Sequence, residues 1–269
     1  MIRLAISTCP NDTFAFDALL RGQIDTRGID LSIDLMDIQT LNERLVAGDY
    51  DGGKISFAQA SRHDRWWVLP VGSALGFGVG PLLLAAAEKT IPQSSRQLTL
   101  CPGSGTTASF LMEYFYPQST QIRNVVFSEI MPALQRGEAD FGVCIHEGRF
   151  TWQASGLFCV EDLGERWERE TNLPLPLGGL VMQRSVSRDV AIQVSQIVRQ
   201  SLLAAQADPA TALVSMRKYA QEFDDDVLMR HVDLYVNDWT VDLGPVGRQA
   251  LEAFWRAGGA AAGPQFLAA

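Results

Sequence analysis

Three histidines occur in the 269-residue chain, His63, His146 and His231. His146 has the most informative surroundings. It stands in GVCIHEGRF, directly after the apolar run Ala139–Ile145, which reads as a short buried strand. In open parallel sheets ligands collect outside the carboxyl ends of strands, so a side chain at that point faces a groove. An imidazole with an ordinary pKa of about 6.5 can take a proton at neutral pH. The position therefore suits a general base; a surface histidine closing a strand end is the plainer alternative. Glu147 is placed to orient the ring, and Arg149 to meet a substrate carboxylate, unless the two form a local salt bridge. Cys144, on the same strand, admits a Cys–His nucleophile pair, although a cysteine inside a buried strand is usually a small core residue.

A second kind of chemistry is written at helix starts. CPGSGTTAS, residues 101–109, reads as strand, turn and helix N-terminus, with Ser104 or Thr106 as cap. Main-chain N–H groups and hydroxyls there suit a carboxylate or phosphate. No lysine follows the glycines, so this is not a Walker loop; an ordinary capped turn remains the alternative. Pro10–Thr13, with Asn11, and Ser56 look like two further helix starts. Three such starts around one cleft favour a site for a small, oxygen-rich anion more than any one alone. LPLPLGG, residues 173–179, is a rigid segment whose glycines suit a hinge or a close approach. Trp66 and Trp67 read as packing residues.

Composition limits the rest. Hydrophobic residues make up 47% and charged residues 20% of the chain, the balance of a soluble globular protein. A formal charge of −9 without a basic cluster argues against nucleic acid or an anionic membrane as partner. No apolar run is long enough to span a bilayer. The opening residues do not read as a signal peptide. Cys9, Cys101, Cys144 and Cys159 are scattered, which fits reduced thiols in a cytoplasmic protein. The histidines show no metal-ligand spacing, so no metal is expected.

The elements that must position these groups alternate. Strands are expected at Ile2–Ser7, Leu31–Leu35, Gly53–Ile55, Val68–Leu69, Val79–Ala86, Gln97–Cys101, Val125–Phe127 and Ala139–Ile145. Helices are expected from Asn11 or Asp12 to Leu20, and at Ile38–Ala47, Ala108–Tyr116 and Ile130–Arg136. This is the pattern of an α/β protein with parallel sheets. Leu45–Gly53 (LVAGDYDGG) aligns with Leu134–Gly142 (LQRGEADFG) at one constant offset, each reading as helix, glycine cap, turn and strand. That suggests two similar lobes. The tail reads as helices at Val190–Ala207, Pro209–Phe223, Asp225–Trp239 and Pro245–Ala257. The strand-like Gly178–Arg184 returns the chain to the first lobe. The expected division is a discontinuous large domain, 1–92 with 176–269, and a small domain, 93–175, hinged at two crossovers near residues 88–96 and 172–178.

ISTCPNDTFAFDALL, GKISFA, GVGPLLLA, PGSGTTA, IHEGRFT and LPLPLGG follow one another from the first residues to Gly179. In this order they resemble the 1,4-dihydroxy-6-naphthoate synthase family of futalosine-dependent menaquinone biosynthesis. The resemblance implies a two-lobed fold similar to type II periplasmic binding proteins, with mixed or parallel sheets flanked by helices and the site in the interdomain cleft. It implies a lyase acting on cyclic dehypoxanthine futalosine, a carboxylated small molecule, without a cofactor. The histidine of HEGRF, here His146, would be the base. Lys54, Ile55 and Ser56, with Thr106, Thr107 and Ala108, correspond to substrate-contacting segments, and Asn42 precedes them on its helix. Asn11 would be a wall residue and Arg149 a carboxylate partner. The alternatives are a small-anion solute-binding protein of the same fold, and chorismate dehydratase, which lacks the HEGRF histidine. The residues leave oligomeric state open, along with the open–closed equilibrium, the proton donor to the leaving fragment and any tuning of His146 by Glu147.

Overall fold

The computed structural model describes residues 1–146, 148–219, 224–260 and 263–267. By internal packing the chain divides into two units, Met1–Gly76 with Pro176–Ala269, and Phe77–Leu175. The first unit begins with β1 (Ile2–Ser7), α1 (Pro10–Leu20), β2 (Leu31–Met36), α2 (Ile38–Ala47), β3 (Gly52–Ser56), α3 (Phe57–Ala60), β4 (Trp66–Val68) and β5 (Ala74–Gly76). The second holds β6 (Leu82–Ala85), β7 (Leu98–Cys101), α4 (Thr107–Phe115), β8 (Gln121–Asn124), α5 (Phe127–Gln135), β9 (Phe141–Cys144), α6 (Gly148–Thr151), β10 (Phe158–Asp162) and α7 (Leu163–Thr171). β11 (Leu175–Gln183) leads back to the first unit. There α8 (Arg188–Ala207), α9 (Pro209–Tyr219), α10 (Asp225–Tyr235), α11 (Asp238–Val241), α12 (Gly244–Ala257) and β12 (Gln265–Phe266) follow.

The first sheet runs β12-β4-β11-β3-β1-β2, with β5 attached to β11; the second runs β10-β6-β9-β7-β8. Within each, two βαβ crossovers lay three parallel strands side by side, β3-β1-β2 in one and β9-β7-β8 in the other. In each an antiparallel strand covers the third, β11 on β3 and β6 on β9.

The aligned segments explain this likeness at atomic level. Gly48 and Gly137 both close their helices with positive φ, +87° and +69°, a conformation glycine adopts without a Cβ penalty. Three residues beyond each comes an aspartate–strand lock. Asp51 N–H donates to Arg3 O at 2.9 Å while Arg3 N–H donates to Asp51 Oδ2 at 2.8 Å. Asp140 N–H donates to Leu98 O at 3.0 Å while Leu98 N–H donates to Asp140 Oδ2 at 2.8 Å. Each aspartate thus sets the register of the strand that follows it. Gly53 then passes so near β1 that a Cβ would stand 2.2 Å from Ala5 O.

A core forms where α1 meets the tail helices. Phe14 and Phe16 of α1 are buried in one cluster with Val194, Ile197, Val198 and Leu202 of α8. Each such side chain is worth about 1.5–3 kcal/mol of burial. Asp17, buried on the same helix, is neutralised by Arg21 at 2.6 Å and accepts from Ser215 Oγ at 2.6 Å. A buried carboxylate is tolerable only when paired in this way. Among the described residues no helix is long and apolar enough to cross a membrane.

Several elements differ from expectation. The strand expected at Val125–Phe127 lies earlier, at Gln121–Asn124, and Phe127 opens α5 instead. β8 is an edge strand with mostly exposed residues, so it carries no alternation to read. The first crossover falls at Gly76–Phe77 rather than near 88–96, because β6 pairs with β9 and β10 and so belongs to the second sheet. The helix expected at Asp225–Trp239 stops at Tyr235; Asn237 then caps α11, its own N–H donating to Thr240 Oγ1. The helix expected to reach Phe223 is described to Tyr219, and the remainder lies outside the described residues. Trp66 is fully buried, as its packing role requires.

Candidate active site

β9 ends at Cys144, and two residues later His146 takes a left-handed conformation, φ +56°. That region costs a non-glycine residue about 1–2 kcal/mol, and histidine is among the residues found there more often. The turn directs the half-buried imidazole against the edge of Phe127, with ring centroids 4.8 Å apart. Phe127 is the first residue of α5, so the ring is braced by the helix that precedes its own strand. Cys144 packs in the core with Leu82 and Ile130. Glu147, expected to orient the ring, lies outside the described residues.

Arg149 is held inside the protein. Its Nη1 donates to Gly80 O at 2.7 Å and its Nη2 to Asp162 Oδ2 at 2.6 Å. Asp162 Oδ1 at the same time caps α7, accepting from Gly164 N at 2.9 Å and Glu165 N at 3.0 Å. Gly80 and Gly164 pass each other so closely that a Cβ on Gly80 would stand 2.2 Å from Gly164 Cα. The GVGP and HEGRF motifs therefore meet in one knot that fixes the turn bearing His146. Arg149 has its counter-charge in Asp162, a local salt bridge, the alternative reading for this residue. Glu168, from α7, accepts from Gly78 N at 2.8 Å, and burial pushes its carboxyl above the usual range.

At the start of α4 the hydroxyls are used locally. Thr106 Oγ1 accepts from Ser109 N at 3.2 Å and donates to Gly103 O at 2.8 Å, while Ser109 Oγ donates to Gly103 O at 2.6 Å. Thr107 and Ala108 occupy the first two helical positions.

In the first unit the expected residues separate into two groups. Asn42 Oδ1 accepts from Ser56 N at 3.0 Å, while the buried Nδ2 of Asn42 has no partner among the described residues. A buried amide N–H without a partner costs about 1–3 kcal/mol. Ser56, at the end of β3, caps α3 without a side-chain bond; its hydroxyl lies 3.5 Å from Leu177 O. Ile55 is fully buried and its side chain serves the core. Lys54 is also turned inward. Its Nζ meets Asp12 Oδ1 at 2.7 Å and Gly72 O at 2.9 Å, with both charged side chains nearly inaccessible. Asp12 also accepts from Ser7 Oγ at 2.6 Å and from Asn11 Nδ2 at 2.9 Å. Residues Ser7 and Asp12 carry this network, and no spacing in the sequence singles them out. Among the described residues no three His, Cys, Asp or Glu side chains gather as a metal site.

Paired βαβ sheets of this order define the periplasmic-binding-protein-like class, and the solved structures agree. A Candida albicans protein described as having the generic periplasmic binding protein fold superposes with a TM-score of 0.68 at 9% identity, over 96% of this chain and 90% of its own. A crystallised protein from Archaeoglobus fulgidus gives 0.90 at 30% identity, over 96% and 97%. The particular family follows from sequence: the menaquinone-biosynthesis family matches residues 2–260, and the chain belongs to it. Its relatives include 1,4-dihydroxy-6-naphthoate synthases from Thermus thermophilus, 39% identical over 93% of this chain and 91% of theirs, and from Streptomyces coelicolor, 37% identical over 93% and 90%.

Proposed function

We propose that this enzyme converts cyclic dehypoxanthine futalosine to 1,4-dihydroxy-6-naphthoate, with His146 as general base. The observation that carries the reading is the near full-length match to two synthases of that name. His146 at the end of β9, half-buried and braced by Phe127, supports its role. The imidazole takes a proton from the carbon next to the ketone, a step for which a positioned base typically supplies about 10²–10⁴ in rate. Negative charge moves onto the ketone oxygen, where preset N–H and hydroxyl donors stabilise it. The carbon–carbon bond to the sugar-derived fragment then breaks, and the ring becomes aromatic, so electrons balance without an external oxidant.

In this reading Thr107 and Ala108 hold the ring carboxylate at the α4 terminus. Ser56 and the unpartnered Nδ2 of Asn42 donate to substrate oxygens, and Asn11 lines the bound molecule. Lys54, Ile55, Thr106 and Arg149 shape the site through the bonds described rather than by touching substrate. Four scattered cysteines suit reduced thiols working in the cytoplasm.

The test is to incubate purified protein with the cyclic substrate and follow naphthoate absorbance. Turnover supports the assignment; tight binding without turnover would instead favour a solute-binding role. Full activity in His146→Ala would remove the base while sparing the assignment.

A further inference from the structure

We propose that His231 is a positioning residue, which fixes the side-chain amide of Asn11 at the start of α1. The proposal rests on the synthase reading, in which Asn11 lines the substrate. His231 lies on α10, and its Nε2 is 3.0 Å from Asn11 Oδ1 across 220 positions of sequence. The two ends of an amide are chemically distinct, one donating and one accepting. Asp12 Oδ1, an acceptor paired with Lys54, lies 2.9 Å from Asn11 Nδ2 and requires the donating end to face it. The accepting end therefore faces His231, and the imidazole must carry its proton on Nε2.

Both grips on the amide are themselves held. His231 is 2% exposed and packs on Tyr235 one turn further along, ring centroids 4.4 Å apart. Asp12 is fixed by Ser7 and Lys54. With one N–H and one lone pair committed, Asn11 keeps one of each to offer a ligand in a single orientation. The tail helices, which carry none of the recognisable motifs, thereby reach the reaction through one hydrogen bond.

The test compares His231→Leu, His231→Gln and Asn11→Ala, alone and combined, by steady-state kinetics, with thermal unfolding to establish that each folds. Removing the grip should lower kcat/KM about tenfold, the size of one buried hydrogen bond. Glutamine places an amide N–H at the depth of the imidazole Nε2 and should restore activity to within about twofold. In the Asn11→Ala background, His231→Leu should cause no further loss. An undiminished loss in that background, or folded His231→Gln no better than His231→Leu, would overturn the proposal. Absence of turnover by the wild type would remove the synthase reading instead. The tie is then read without substrate from imidazole nitrogen NMR: a proton on Nε2 supports it, and a ring protonated only on Nδ1 overturns it.

Discussion

Lys54 Nζ and Asp12 Oδ1 lie 2.7 Å apart with both side chains almost wholly withdrawn from solvent, which joins the end of the chain's first strand–helix turn to β3. The basic residue of the GKISFA motif is thus committed to holding PNDTF in place. Removing one member of a buried pair strands the other charge, at a cost of about 3–5 kcal/mol. Lys54→Met should lose about that much in urea unfolding, and Asp12→Asn combined with Lys54→Met should lose distinctly less than the sum of the singles. Strict additivity would show that the two charges do not stabilise each other.

His146 should separate activity from stability. His146→Gly removes the imidazole and its contact with Phe127 but relieves the left-handed backbone. The two effects are each about 1 kcal/mol and opposite in sign, so unfolding free energy should stay within about 1 kcal/mol of wild type. Turnover should fall by at least about 10²-fold. A large loss of stability with retained turnover would assign the residue to the fold instead.

Arg149 should behave as a structural residue. Arg149→Leu leaves Asp162 partly buried without its cation and frees Gly80 O, for a loss of about 2–4 kcal/mol measured by chemical denaturation. A residue that bound the substrate carboxylate would instead raise KM and leave stability unchanged. Finding that pattern would return Arg149 to the substrate.

Alkaline pH should weaken the protein through Cys101. Burial pushes this thiol from an ordinary 9.0 up to about 12. Burial, with the bond to Glu161, also takes the Tyr116 hydroxyl up to about 12. Between those limits the folded chain keeps a proton that the unfolded chain releases. The stabilisation is therefore whole below about pH 9 and is lost as pH rises toward about 12. For Cys101 the full effect is on the order of a few kcal/mol. Urea midpoints from pH 8 to 11 should fall more steeply for wild type than for Cys101→Ser; parallel curves would count against the assignment.

Much of this architecture is legible in the sequence because its causes are local. The glycine caps after α2 and α5, the apolar strands β1, β7 and β9, and the Pro-led starts of α1 and α12 each announce themselves within a few residues. The edge strand β8 does not, since neither face is buried. The site divides in the same way. His146 stands out because a strand runs directly into it, and Thr107 and Ala108 because a glycine-rich turn precedes a helix. The fates of Lys54 and Arg149 are set by partners distant in sequence or on another element, Asp12 and Asp162. His231 is further removed still, on a helix whose apolar spacing reads only as packing.

Counting 89 positions on from each residue of the first aligned segment also pairs Phe57 with His146. Up to that point the two halves follow the same recipe, down to the aspartate that locks the preceding turn. There they diverge. One half runs straight into a helix and seals a benzyl group inside, fully buried; the other tips a titratable ring onto a bent backbone. A single blueprint executed twice has therefore yielded one copy sealed inside as ballast and one left half-open on a left-handed turn. Comparing the two copies tells an engineer which neighbours such a ring needs.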